Sequence, residues 1–287
     1  MAVDLCAIKL AHPVINGSGT FDLIAARRAF GEAVDRHFPF AAFVSKTITL
    51  QPRAGNPPPR LYETPAGMIN SIGLPNRGLN GYLEHDLPQL ATLDAPLITN
   101  VMGSNADEFI QLVEALEPRT EVAAIELNVS CPNVKTGLDI GSDAAELEAL
   151  LRAVRPRSTK PLIVKLTPNT ANVALTAQAA QSAGADAISL INTLRAFAPH
   201  PQRRGQPWLG GGSGGLSGPA IRAVALAQLT AVSAVVSLPI IGMGGIATAA
   251  HGQQFLDAGA RLIAVGSESF RDPTTASRIR DGLIAAP

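Results

Sequence analysis

The chemistry in this chain gathers around one thiol. Asn128-Val129-Ser130-Cys131-Pro132-Asn133 follows directly on an apolar run, Val122 to Leu127. Pro132 has no N–H for a sheet ladder and biases Cys131 away from helix, so the strand is expected to stop here with the thiol on a loop. A free cysteine is more often a small buried hydrophobe. Asn128 and Asn133 argue for chemistry instead, because they offer donors and acceptors without charge. That suits a planar, amide-rich ligand held beside a thiol that exchanges a proton.

Further polar residues recur at the ends of short apolar runs: Ser18, Lys46-Thr47, Asn100, Asn128, Lys165 and Asn192-Thr193. A single lysine in such a place usually snorkels or serves a structural ion pair. Lys46 and Lys165 lie among neutral amides with few acidic residues nearby, which points to a ligand that is anionic or becomes so. Two glycine-ended runs complete the set, Ile240-Ile-Gly-Met-Gly-Gly-Ile246 and Val265-Gly-Ser267. Glycine lets backbone amides approach a phosphate, and a following helix N-terminus favours negative charge. A mononucleotide-like ligand is the expected occupant.

The elements that must position these residues are legible as alternating patterns. Short β-rich runs are predicted at Val14–Asn16, Phe43–Lys46, Leu97–Val101, Ala124–Asn128, Leu162–Lys165, Ala187–Ile191, Ile240–Gly242 and Leu262–Val265. Helical spacing of apolar residues predicts helices over Asn105–Leu116, Asp143–Val154, Val173–Ala183, Pro219–Val235 and Ala247–Ala258. Eight strands alternating with helices predict an α/β fold, a single-domain TIM (β/α)8 barrel over residues 1–287. The competing Rossmann-like sheet lacks a Gly-x-Gly-x-x-Gly after its first strand. Two stretches exceed the repeat, Gln51–Gly81 and Leu194–Gly218. Both follow strands and so belong on the catalytic face, and the glycine-rich Gly210–Gly218 is expected to serve as a lid rather than a plain flexible linker.

Composition narrows the function classes. The chain has 287 residues, 46% hydrophobic and 16% charged, with Lys plus Arg and Asp plus Glu at 23 each. Balanced charge gives no global field for nucleic acid or an anionic membrane. No apolar stretch approaches the roughly 20 residues that cross a bilayer, and the N-terminus lacks a basic region followed by an apolar core, so a cytoplasmic protein is expected. Cys6 and Cys131 make neither a metal-spaced pair nor a disulfide framework, and no metal site is expected. The sequons at Asn16 and Asn128 read as chance matches.

The segments Ser18-Gly-Thr-Phe21, Lys46-Thr47, Gly55-Asn-Pro-x-Pro-Arg60, Thr64-Pro-Ala-Gly-Met-Ile-Asn-Ser-Ile-Gly-Leu74, Asn128–Asn133, Val164-Lys-Leu166, Ile191-Asn-Thr193, Gly214-Gly-Leu-Ser-Gly218, Gly242-Met-Gly-Gly245 and Gly266 together resemble class 1 dihydroorotate dehydrogenases, FMN enzymes of pyrimidine biosynthesis. The resemblance covers essentially the whole chain. It implies FMN contacts from Ser18, Lys46, Thr47, Asn100, Asn128, Lys165, Ile191, Gly218, Gly244, Gly245, Gly266 and Ser267. It implies that dihydroorotate and its product orotate are held by Lys46, Asn70, Ser71, Ile72, Gly73, Leu74, Asn128, Asn133, Asn192 and Thr193. Cys131 resembles the class 1 base, where membrane-linked class 2 enzymes have serine. It would take the C5 proton while hydride leaves C6 for flavin N5, and Lys165 would stabilise the anionic reduced flavin.

Within class 1, Thr64-Pro-Ala-Gly-Met68, Asn192-Thr-Leu194 and Gly242-Met-Gly-Gly245 resemble the 1B branch, a catalytic subunit that pairs with an FAD and iron-sulfur subunit and is linked to NAD. Asn70-Ser-Ile-Gly-Leu-Pro-Asn76 is closer to the homodimeric, fumarate-reducing 1A branch, and the balance favours 1B. A homodimer is the default expectation for such barrels. Gly17 replaces the usual alanine before Ser18, and Ser267 stands where threonine is common. Arg195–Trp208 follows neither pattern. Another flavin barrel of the dihydropyrimidine or dihydrouridine type, or a non-catalytic flavin-binding module, would share the phosphate loops. A mere binder has no need of Cys131 as a base, and a dihydrouridine enzyme would need a basic face for RNA.

Overall fold

A computed structural model describes residues 2–130 and 140–285. Eight parallel strands run β1 (Val14–Asn16), β2 (Phe43–Val44), β3 (Leu97–Val101), β4 (Val122–Asn128), β5 (Leu162–Lys165), β6 (Ala187–Leu190), β7 (Ile240–Met243) and β8 (Leu262–Val265). They pair in the order β1-β8-β7-β6-β5-β4-β3-β2, a nearly closed barrel with helices between strands. This is the predicted TIM barrel.

The seam between β1 and β2 is bridged by a side chain. Asn16 Nδ2 donates to the Val44 carbonyl at 2.8 Å, and the Val44 N–H donates to Asn16 Oδ1 at 2.8 Å. An asparagine amide carries one donor edge and one acceptor edge, so it stands in for the backbone unit that two such short strands lack. Asn16 is fully buried.

β2 ends two residues before its predicted limit at Lys46. Ser45 Oγ accepts from the Asn100 N–H at 3.0 Å, taking the place of a ladder carbonyl. Pairing with β3 resumes at Ile48, opposite Val101. Lys46 and Thr47 lie in the interruption, the lysine exposed and the threonine buried. At two helices the predicted first residue proves to be a cap. Asn105 accepts from the Glu108 N–H, and Asp143 accepts from those of Ala145 and Glu146, satisfying donors that have no partner within the helix.

Apolar packing divides between the two sides of the barrel wall. The outer core joins strands to helices through residues such as Phe109, Leu112, Leu147, Leu151 and Phe255. The inner core holds Ile15, Val44, Ile98, Ala124, Ile163, Ile241 and Leu262. An antiparallel pair, Val3–Leu5 with Ile8–Leu10, places Leu5 and Leu10 in that inner cluster. These apolar side chains fill the N-terminal end of the barrel. The later inward positions, Asn100, Glu126, Asn128, Lys165 and Ser189, are polar and buried.

The two long segments on the catalytic face pair with each other. Leu194–Ala196, Gly214–Ser217, Gly67–Asn70 and Leu61–Thr64 form one antiparallel sheet in that order. The expected lid is therefore ordered at its glycine-rich end, where Gly214–Ser217 is an inner strand bonded on both edges. Ile69, Ala198 and Leu209 form a small core in this flap, with Trp208 packed on it.

Candidate active site

The buried polar layer begins with Glu126, which breaks the run from Val122 to Leu127 that composition alone presents as apolar. Its side chain alternates inward with Ala124 and Asn128, as strand geometry requires. Asn100 Nδ2 donates to Glu126 Oε2 at 2.5 Å, and Ser189 Oγ donates to Oε1 at 2.7 Å. One residue pair further along the barrel, Lys165 stands in register with Asn128 on one side and Ser189 on the other. Lys165 is buried, and no carboxylate among the described residues forms an ion pair with it.

At the mouth of the barrel the amides meet. Asn192 Nδ2 donates to Asn128 Oδ1 at 3.3 Å and to Ser130 Oγ at 2.9 Å. The Ser130 N–H also donates to Asn128 Oδ1 at 3.3 Å, so strand end and loop are tied together immediately before residue 131. A cavity of about 170 Å³ opens here between Ser130, Asn169, Asn192, Thr193, Arg195 and the flap residues Ser213–Gly215. Asn169 Nδ2 donates to the Thr193 carbonyl at 3.1 Å, while its Oδ1 accepts from the Arg195 N–H at 2.9 Å. Asn70 reaches the same wall from the flap, donating to the Gly215 carbonyl at 3.3 Å.

The other side of the mouth carries the glycine-ended loops. Gly245 has φ of 73°, and a Cβ there would sit 2.8 Å from the Gly218 carbonyl oxygen and 2.8 Å from Arg222 Cβ. Only glycine combines that left-handed backbone with so close an approach. Ser267 Oγ donates to Ser217 Oγ at 2.7 Å, joining the loop after β8 to the flap. Arg222 Nη1 lies 2.5 Å from His251 Nε2, and burial together with this guanidinium lowers the histidine pKa. On the adjoining rim Ser18 Oγ donates to the Ser45 carbonyl at 2.9 Å and lies 3.3 Å from Thr47 Oγ1.

A sequence-family model described as dihydroorotate dehydrogenase matches residues 1–286. The chain belongs to the dihydroorotate dehydrogenase family. Among its curated relatives is the dihydroorotate dehydrogenase B (NAD(+)), catalytic subunit, of Geotalea uraniireducens, 43% identical over 284 residues, which span 99% of this chain and 92% of that protein. Proteins of the same name from Desulforudis audaxviator and Bacillus pumilus are each 44% identical, over 98% of this chain and 91% and 89% of theirs. Its activity is the oxidation of dihydroorotate to orotate in pyrimidine biosynthesis, and the family implies a flavin cofactor.

The candidate site brings together most of the residues that the sequence singles out. Asn128, Lys165, Asn192 and Thr193 converge on the cavity and the layer beneath it, while Ser18 and Thr47 meet at the rim. Asn100 lies deeper, fully buried. Ile191 is buried, 3.4 Å from where a Gly244 Cβ would stand, and Gly218, Gly245 and Ser267 lie together, with Gly266 next along the chain. Ser71 Oγ accepts from Asn56 Nδ2 at 2.9 Å, and the following Ile72-Gly73-Leu74 turn has left-handed backbone at Gly73 and Leu74. Lys46 is exposed and makes no side-chain hydrogen bond or ion pair among the described residues. Cys131 and Asn133 lie outside the described residues.

Glu126, Asn169 and Asn56 escape the sequence reading. A lone carboxylate two positions before Asn128, hence on the same face, is the signal that could have found Glu126. Asn56 and Asn169 act through pairings that sequence spacing does not show. The fit to a flavin rests on the donor set. Asn100 Oδ1 is buried with no hydrogen-bond partner among the described residues, and Lys165 is a buried cation with no ion-pair partner among them. A ring with an N–H and an electron-poor carbonyl edge meets both needs. Among the described residues no trio of His, Cys, Asp and Glu could hold a metal.

Proposed function

We propose that the flavin is FMN and that the chain, acting as one barrel domain of residues 1–287, oxidises dihydroorotate with Cys131 as base. The observation that carries the reading is the buried polar end of the barrel, where Lys165, with no ion-pair partner among the described residues, stands beside Asn128 and below the Asn192 pair. Bound FMN supplies the electron acceptor for the substrate's oxidation. Its phosphate is held by the backbone amides of Gly218, Gly244, Gly245, Gly266 and Ser267, with Ser18 and Thr47 on the adjoining rim and Ile191 packed against the ring. Lys165 and Asn100 address its polar edge, and Lys165 balances negative charge there.

Dihydroorotate occupies the cavity between Ser130 and the flap. Asn128, Asn133, Asn192 and Thr193 pair with its ring amides, and Asn70–Leu74 close over it from the flap. Lys46, exposed at the rim, is free to meet its carboxylate. Cys131 Sγ takes the C5 proton. A thiol with an ordinary pKa of roughly 8.5 is mostly protonated at neutral pH, so turnover should rise into the alkaline range. The flap sheet limits water at the reacting carbons.

The relatives' names carry NAD(+) and the words catalytic subunit. We propose that the chain is a cytoplasmic 1B-type subunit, a homodimer that passes electrons through an FAD and iron-sulfur partner to NAD. Two cysteines cannot ligate an iron-sulfur cluster here, so that centre belongs to the partner. Acid extraction and chromatography of the bound flavin should yield FMN. Recovery of FAD, or failure of the apo-protein to take up FMN, would contradict the cofactor assignment. NAD reduction should require the partner, and steady fumarate reduction by the chain alone would favour the 1A reading.

A further inference from the structure

Glu126 has no place in the chemistry above, yet it occupies the centre of the barrel. It is 2% exposed and forms no ion pair among the described residues. Burying a carboxylate without a counter-ion is costly, and an apolar residue of similar volume would serve stability at least as well. Its two contacts show what it does. Both oxygens accept, one from the Asn100 amide and one from the Ser189 hydroxyl.

An asparagine amide can be turned over with little change in shape, exchanging its donor and acceptor edges. At Asn100 the carboxylate decides between them. With Nδ2 toward Glu126 the contact is a charge-assisted hydrogen bond, whereas the turned amide would set Oδ1 against a carboxylate oxygen. The Asn100 carbonyl oxygen is therefore fixed away from Glu126. That oxygen is buried and meets no donor among the described residues, although Asn100 itself is fully buried. A buried acceptor left in this state is unfavourable unless a ligand supplies the donor.

We propose that Glu126 is a positioning residue of the flavin site: it fixes the Asn100 amide so that Oδ1 accepts the N3–H of the flavin ring. The inference rests on the flavin reading of this site. In the oxidised ring N3 carries the only ring N–H, and it lies between two carbonyls. A bare acceptor fits it and the turned NH2 would not. Dihydroorotate also carries ring N–H groups. Asn100, however, stands in register with Glu126, one inward position below the Asn128–Lys165 pair, which places its acceptor on the deeper ligand.

The experiment measures FMN affinity of the deflavinated protein by flavin fluorescence, with circular dichroism confirming the fold of each variant. Asn100→Leu and Glu126→Leu should each weaken FMN by about tenfold or more, the scale of one buried hydrogen bond. The double variant should be no weaker than Asn100→Leu alone, because Glu126 acts through Asn100. Glu126→Gln should keep most of the affinity, since its Oε1 still accepts from Asn100 while its amide donates to the rotatable Ser189 hydroxyl.

Additive losses in the double variant, or parental affinity in Glu126→Leu, would overturn the proposal. So would loss of orotate binding with FMN affinity intact, which would assign the acceptor to the substrate. Should Glu126→Leu not fold, the parental apo-protein decides: it should discriminate against 3-methyl-FMN, and equal affinity for FMN and 3-methyl-FMN would refute the N3 contact. A parental apo-protein that takes up neither would instead remove the flavin reading on which the inference stands.

Discussion

At the residue scale a thiol, a cation and a carboxylate have separate tasks. Cys131→Ser should lower turnover about a hundredfold or more at neutral pH, the usual contribution of a positioned base, and should steepen the alkaline rise of the rate. A pH–rate profile identical to the parent would remove Cys131 from the proton transfer. Lys165→Met should weaken FMN about tenfold or more, because a hydrogen bond to a charged group is worth about 1.5–3 kcal/mol. It should also lower the potential of the bound flavin, since the cation favours the negatively charged form; a dye-coupled redox titration checks this. The other thiol behaves differently. Burial raises Cys6 to about 11, with Asp186 adding to the effect, so neutral-pH alkylation followed by mass spectrometry should leave it unmodified.

At the element scale the decisive features are how strands end and how the flap is built. Asn16→Ala removes both bonds across the β1–β2 seam and leaves a buried N–H and carbonyl at Val44 unpaired. A loss of about 2–6 kcal/mol in denaturant unfolding is expected, at about 1–3 kcal/mol for each buried group left unsatisfied. Gly245→Ala tests the phosphate cradle separately: its positive φ and the nearby Gly218 carbonyl predict weaker FMN binding with little change in the folding of the barrel. The limits of β1, β3, β5 and β8 agree with the sequence because these are short apolar runs with one reading. β2 does not, because Ser45 uses its side chain where a longer strand would use its backbone. The strand pairing within the flap was invisible for a different reason. Gly214–Ser217 has the composition of a linker, and its partner Met68–Asn70 lies about 150 residues earlier, beyond any local pattern.

At the scale of the whole molecule, alternation of strands and helices was enough to predict the barrel, whereas the division of its interior was not. Leu5 and Leu10 lie ahead of the first predicted strand at Val14, yet they join the inner apolar core. Glu126 read as part of an apolar strand, yet it organises the polar layer above that core. Low pH should act on the barrel through His12, buried beside β1, whose Nδ1 accepts from the Val14 N–H. Burial, with Arg280 assisting, lowers its pKa from 6.5 to about 4. The folded state thus refuses a proton that the unfolded chain accepts. The stability this contributes is fully present above pH 6.5 and falls as pH drops toward 4. His12→Gln should flatten unfolding free energy across that window; an unchanged slope would locate the acid sensitivity elsewhere. The central claim is that this barrel binds a flavin which dihydroorotate reduces at the Lys165–Asn128–Asn192 end. The most direct test is the visible spectrum of the holoenzyme before and after anaerobic addition of dihydroorotate. The flavin bands should bleach, and those of Cys131→Ser should bleach more slowly under the same conditions. Bound flavin that stays oxidised in the parental protein would contradict it.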